Sequence, residues 1–188
     1  MIFLTLGDNY SGVYASQVLG VCRYLSQISE KPVRLISFIA IPVFVEHRKK
    51  IKDAYPHAIV LPAWPRIRNW RKNYILLRFI LFFLPEKKIM ARGVFATLLA
   101  QKLKKNGTIQ QQVIMDGRGA TQAEWQEYKV IEDTSVVAEG FELEKQAVLG
   151  SDFRLGVSQE LTKYWKKQFN YQREEHVVVP CTLNKAFL

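Results

Sequence analysis

Three clusters in this 188-residue chain combine residue types and spacing that can do chemistry. The sharpest is Asp116-Gly117-Arg118-Gly119, followed by Glu124. It comes directly after the apolar run Val113–Met115, so a carboxylate and a guanidinium should project together where a strand ends. Arginine offers a planar fork to phosphate or carboxylate, and the glycines let the backbone come close to a ligand. The plainer reading is an Asp116–Arg118 pair that only pins its own loop. Glu124 has the chemistry of a general base, yet Thr121-x-x-Glu124 is equally a capping box. Arg92-Gly93, after the short run Lys88–Met90, repeats the arrangement of an edge arginine beside a glycine.

The third cluster is Gly7-Asp8-Asn9-Tyr10-Ser11-Gly12, between a first strand and a first helix. It has the spacing of a dinucleotide fingerprint, with Asn9 where the middle glycine would stand. Gly7, Asn9, Tyr10, Ser11 and Gly12 are binding candidates, because a glycine turn feeding a helix presents backbone N–H groups and the positive end of the helix dipole to a phosphate. No Lys-Ser/Thr follows Gly12, so the turn is not a P-loop. It could also be a tight turn and nothing more. Ser158 closes the run Phe153–Val157 as a helix cap at what should be the same edge, and is a further binding candidate. His47, His57, His176, Cys22 and Cys181 lack metal-ligand spacing, so neither a metal nor a cofactor is expected.

The elements that must position these residues alternate regularly. Strand-like runs fall at Ile2–Leu6, Val33–Phe38, Ile59–Leu61, Lys88–Met90, Gln112–Met115, Phe153–Val157 and Val177–Val179. Helical patterns separate them: Val13–Ile28, Val45–Ala54, Trp70–Leu84, Gly93–Lys105, two segments between Thr121 and Leu149, and Gln159–Phe169. Near-continuously apolar strands alternating with helices predict an α/β, Rossmann-like, doubly wound and mainly parallel sheet of six or seven strands, with helices on both faces. Ligands in such sheets bind beyond the carboxyl ends of the strands, where all the candidates above fall.

The net charge is +10, and it is unevenly placed. From Glu46 to Arg92 there are twelve Lys/Arg against three Asp/Glu; from Asp116 to Glu144 there are two against eight. That division argues against nucleic acid as a partner and suits one basic patch resting on an anionic surface. Trp64, Arg66, Arg68, Trp70, Arg71 and Lys72 lead into an apolar run too short to span a bilayer, and Lys87 and Lys88 follow it. The segment therefore predicts either peripheral membrane contact or a core helix with a basic lead-in. Two cysteines and the absence of a signal-peptide pattern at Met1 point to a cytoplasmic protein, with peripheral placement at the inner face of the plasma membrane.

Together these residues resemble the N-terminal domain of GT-B-fold glycosyltransferases, family 4 in particular. Gly7–Tyr14 is similar to that family's opening turn. Arg92, Asp116-x-Arg118-Gly119 and Glu124 resemble an arginine, aspartate-x-arginine-glycine and glutamate set of one branch. The run from Glu144 through Val177-Val-Val-Pro-Cys181 to Phe187 resembles the approach to the linker between domains. The resemblance implies a domain over residues 1–179, a linker starting at 180–188, and a donor-binding C-terminal domain beyond it. It also implies sugar transfer from a nucleotide-sugar donor to a glycan or lipid-linked acceptor, with Asp116 and Glu124 in catalytic roles. The rival expectation is a non-catalytic Rossmann-like subunit that docks a separate catalytic partner at the membrane. A nucleotide-dependent oxidoreductase is disfavoured by Asn9 and by the wholly apolar end of the second strand, Phe38–Pro42.

Overall fold

The computed structural model describes residues 1–86, 88–107, 112–128 and 134–181. The expected linker beyond Cys181, and Lys87, lie outside the described residues. Seven parallel strands form one sheet: β1 (Ile2–Leu6), β2 (Arg34–Ala40), β3 (Ile59–Ala63), β4 (Lys88–Arg92), β5 (Gln112–Gly117), β6 (Phe153–Gly156) and β7 (His176–Val178), in the order β3-β2-β1-β4-β5-β6-β7. The direction of strand order reverses between β1 and β4, which opens a crevice at their carboxyl ends. The register pairs Leu4 with Ala91 across that switch point, and Arg92 with Asp116 across the next ladder.

The strands' period of two sorts their side chains onto two faces. Ile2, Leu4, Ile89, Ala91, Val113 and Met115 face a core shared with α4 (Asn73–Phe82), α5 (Gly93–Lys105), α7 (Thr134–Gly150) and α8 (Gln159–Phe169). Phe3, Leu35 and Met90 face a second core. It is built with Tyr14, Val18 and Cys22 of the helical segment 12–28 and with Ile51 of α3 (Phe44–Ala54). Beyond that helical segment the second face is less fully covered. Met90, Leu155 and Val179 line an open trough of about 830 Å³, with Val21, Tyr24 and Leu25 on its opposite wall.

Two helices depart from the sequence expectation. The segment 12–28 is α1 (Gly12–Tyr14), a π turn over Ala15–Gly20, and α2 (Val21–Ile28). The wider turn changes which residues face the sheet, a shift that hydrophobic spacing does not reveal. The helix expected over Trp70–Leu84 begins instead as a 3₁₀ turn, Ile67–Lys72, before α4. That turn points Trp70 inward, where it is 6% exposed and its ring lies 5.2 Å from that of Phe95. Trp70 is therefore a core residue and not a membrane contact, which corrects the sequence expectation.

Arg154 on β6 is fully buried among apolar neighbours. Its Nε donates to the Val148 carbonyl at 2.6 Å and one Nη to the Leu149 carbonyl at 3.1 Å and to the Ser151 carbonyl. The guanidinium also lies over the Tyr171 ring, 4.9 Å from its centroid. The arginine thus closes the C-terminal end of α7, whose last carbonyls have no partner within the helix. Burial lowers the guanidinium's pKa from its ordinary value. Arg154→Met would keep most of the volume and strand the carbonyls. It should cost about 3 kcal/mol, read as a lower urea midpoint at unchanged slope.

Candidate active-site crevice

The β1 turn is built to hold its shape. Gly7 has a φ of +85°, a left-handed conformation that favours glycine, and its N–H donates to the Phe38 carbonyl at 2.9 Å. The Ser11 hydroxyl caps the helix by accepting from the Tyr14 N–H at 3.2 Å. The Tyr10 N–H donates to Nδ1 of His47 at 3.2 Å. Beneath the turn, the Tyr14 hydroxyl donates to Ser37 Oγ at 2.9 Å, and Ser37 and Thr5 hydroxyls are 2.8 Å apart. Burial pushes the Tyr14 phenol up to about 12, so it remains a neutral donor. A Cβ placed on Gly7, Gly12 or Gly93 would meet nothing within 4 Å, so open space lies over all three.

Across the switch point stands Arg92, with only 11% of its side chain exposed. One Nη donates to the Gln17 side-chain carbonyl at 2.9 Å. Its Nε lies 3.8 Å from an Asp8 carboxylate oxygen, and Nη1 lies 3.7 Å from one of Asp116. That Nη1 is buried and has no hydrogen-bond partner, which leaves a charged donor in reserve. Arg118 grips Asp116 from the other side, with Nε at 3.0 Å and Nη2 at 2.9 Å from Oδ2. The cluster thus alternates carboxylate, guanidinium, carboxylate, guanidinium.

Burial raises the pKa of both acids; Arg92 opposes this at Asp8, and Arg118 and then Arg92 oppose it at Asp116. Asp116 is 2% exposed with both arginines against it. In this arrangement it holds the arginines in place, and proton transfer by Asp116 would need the pair to open first. Arg118 also reaches toward Cys181, at 3.6 Å, so the segment after β7 runs past the crevice.

Glu124 lies on α6 (Thr121–Tyr128) and is exposed. Burial and then the neighbouring Glu127 raise its pKa, the direction that suits a base at moderate pH. Its carboxyl rests on Gly119: a Cβ there would lie 1.8 Å from Oε1. Gly119→Ala would therefore displace an exposed side chain at small stability cost, under about 1 kcal/mol. The expected result is an almost unchanged melting temperature.

The crevice thus gathers the Gly7–Gly12 turn, Arg92, Asp116, Arg118 and Gly119, with Glu124 at the loop's far side. Ser158 follows β6, the neighbour of β5 in the sheet. Its hydroxyl accepts from the Leu161 N–H at 3.1 Å and caps α8. Asp8, Gln17 and His47 belong to the site although sequence reasoning did not select them. Asp8 lay inside the glycine turn already singled out, while Gln17 and His47 carried no local signal. Trp64, Arg66, Arg68, Arg71 and Lys72 are exposed, and Arg71 pairs with Glu139 at 3.3 Å.

No family model matches the chain, and no curated protein matches it. Solved structures do. Sucrose-phosphate synthase from Thermosynechococcus elongatus aligns with a TM-score of 0.67 at 12% identity, over 97% of this chain and 48% of that one. The apo form of the lipopolysaccharide outer core galactosyltransferase WaaB aligns at 0.63 and 13%, over 96% and 45%. A putative UDP-N-acetylglucosamine 2-epimerase from Listeria monocytogenes aligns at 0.66 and 8%, over 95% and 44%. The chain thus spans just under half the length of each of these three proteins. The fold is Rossmann-like, matching a half-domain of the GT-B architecture.

Proposed function

We propose that this chain is the acceptor-side half of a GT-B, family 4-like glycosyltransferase that moves a sugar from a nucleotide-sugar donor to a glycan or lipid-linked acceptor. The observation that carries the reading is the Asp8–Arg92–Asp116–Arg118 cluster, set at the switch point beside the open Gly7–Gly12 turn. Guanidiniums and helix-start N–H groups at one crevice are what a diphosphate leaving group requires as charge builds on it. Arg92, whose buried Nη1 has only the 3.7 Å ion pair with Asp116, and Arg118 are the guanidiniums that would answer that charge. A C-terminal domain following the linker at 180–188 would hold most of the donor nucleotide. Glu124 is the proposed base, activating the acceptor hydroxyl, and Asp116 acts by orienting both arginines.

The proposed setting is cytoplasmic, at an anionic membrane surface that carries a lipid-linked acceptor of cell-surface polysaccharide type. Trp64, Arg66, Arg68, Arg71 and Lys72 follow β3 at the same carboxyl edge as the crevice and would meet that surface. The described residues include no helix long and apolar enough to cross a membrane.

The test is transfer by the full-length protein from a panel of labelled nucleotide sugars to extracted membrane lipids and glycans. Glu124→Gln should lower turnover by about 10²-fold or more. The wild-type rate should rise with pH through a value above the ordinary glutamate range, because only the ionised base works, and the variant should lack that limb. Full activity in Glu124→Gln would remove Glu124 from the mechanism. Donor consumption that needs no acceptor would favour chemistry on the nucleotide sugar alone.

A further inference from the structure

We infer that His47 is a positioning residue for the Gly7–Gly12 turn: its neutral ring latches the turn, and a proton on Nδ1 releases it. The latch joins segments that are far apart in sequence and adjacent in the sheet. β1 and β2 run parallel with Leu6 beside Phe38, so the segments that leave them emerge side by side at the carboxyl edge. After β2 the chain passes through a 3₁₀ turn, Ile41–Val43, straight into α3, which sets His47 near the start of that helix. There the Tyr10 N–H donates to its Nδ1 at 3.2 Å. A backbone N–H can only donate, so Nδ1 must offer its lone pair and the neutral ring must carry its proton on Nε2. A doubly protonated ring would set one N–H against another, and the bond would become a repulsion. Histidine is the side chain that makes this change in the mildly acidic range.

The turn is anchored at its two ends, and the latch holds its middle. Gly7 is bonded to β2, and Ser11 to the helix it caps. Between them the Asp8 carboxylate stands 3.8 Å from Arg92, beyond hydrogen-bond distance, so the Tyr10 bond is what ties this stretch to α3. Ring packing supports it: Tyr10 is tilted against His47 with centroids 6.5 Å apart and against Tyr14 at 6.0 Å. The charged groups around the imidazole are Glu46, Arg48 and Lys50 of α3 and Asp8 of the turn. Glu46 is engaged by Lys50 at 2.5 Å, and Lys50 Nζ lies 6.0 Å from the centre of the Tyr10 ring. Both acids thus already face a cation, and a proton on His47 would add charge beside a basic helix. Release would leave the N–H groups of residues 8–12 without a fixed geometry, and a cradle that must be ordered on binding holds an anion less tightly. The latch does not rest on sugar transfer; only its consequence for a diphosphate rests on the function proposed above.

The test uses the full-length protein and needs neither donor nor acceptor. With histidine labelled by nitrogen-15, the His47 signals at neutral pH should show a bare Nδ1 and a protonated Nε2. Hydrogen exchange over residues 8–12, corrected for its intrinsic pH dependence, should be about fivefold faster at about pH 5 than at about pH 8. Exchange in β2 should not change between the two, which separates release of the turn from unfolding. His47→Asn puts an amide oxygen near the place of Nδ1 and cannot gain the proton, so its turn should stay protected at both pH values. His47→Ala should exchange fast at both. A protonated Nδ1 at neutral pH, turn protection in the unmodified protein that ignores pH, or a His47→Asn variant that follows the wild-type pH course would each overturn the proposal.

Discussion

Asp116→Ala is expected to destabilise the domain by about 3 kcal/mol and to abolish the order of the crevice. Truncation leaves two largely buried guanidiniums with no shared counter-charge, and removing one partner of a buried ion pair costs more than replacing the pair. Asp116→Asn should be milder, because the amide keeps the shape and accepts one hydrogen bond. The sign of the pH effect separates these changes from simple loss of packing. Burial outweighs both arginines, so the folded Asp116 pKa lies above its ordinary value. Its contribution to stability is then fully present below the ordinary carboxylate range and is lost as pH rises through the raised value. Asp8 shares that direction. Urea midpoints from about pH 4 to about pH 7 should therefore vary less in Asp116→Asn than in the wild type. A parallel pair of curves would show that Asp116 titrates normally.

Trp70→Ala should be comparably severe, at about 4 kcal/mol, or a fall of about 10 °C in Tm. Trp70 heads an aromatic series: its ring packs 5.2 Å from Phe95, which stacks on Trp125 at 5.4 Å and 18°. The Arg71 guanidinium lies 4.8 Å from the centre of the Trp70 ring. Because Trp125 adjoins Glu124 on α6, loss of Trp70 should also speed amide exchange across Thr121–Tyr128. Trp70→Phe should restore most of the stability. Vesicle binding in Trp70→Phe should match the wild type, because the residue does not reach the surface. Hydrogen exchange and calorimetry on the two variants, with sedimentation for the vesicles, check these statements.

The contrast between Trp70 and the α4 phenylalanines shows where the sequence was readable. Alternation of apolar strands with helix-length segments was enough for the sheet, since a buried parallel strand can hardly look otherwise. It also placed Arg92 and Asp116 at strand ends. Their meeting depends on β4 lying beside β5, and Asp8 reaches Arg92 because β1 lies beside β4. That order belongs to topology and leaves no local mark. In the segment 64–84, composition could not assign inside and outside. A 3₁₀ turn sets the phase that buries Trp70, and a helix apolar nearly all round has too little polar contrast to show which phenylalanines face out. Ser158 illustrates the converse: its capping role was visible in the sequence, and the structure shows its hydroxyl in use as a cap.

The central claim is that donor and acceptor meet at the β1–β4 switch point. Its most direct test is the hydrogen-exchange footprint of the full-length protein with a nucleotide sugar and acceptor bound. Protection should appear over residues 7–12, at Arg92 and Gly93, and across Asp116–Gly119, and Arg118→Ala should weaken it. Protection confined to other surfaces, with these three segments unchanged, would contradict the account.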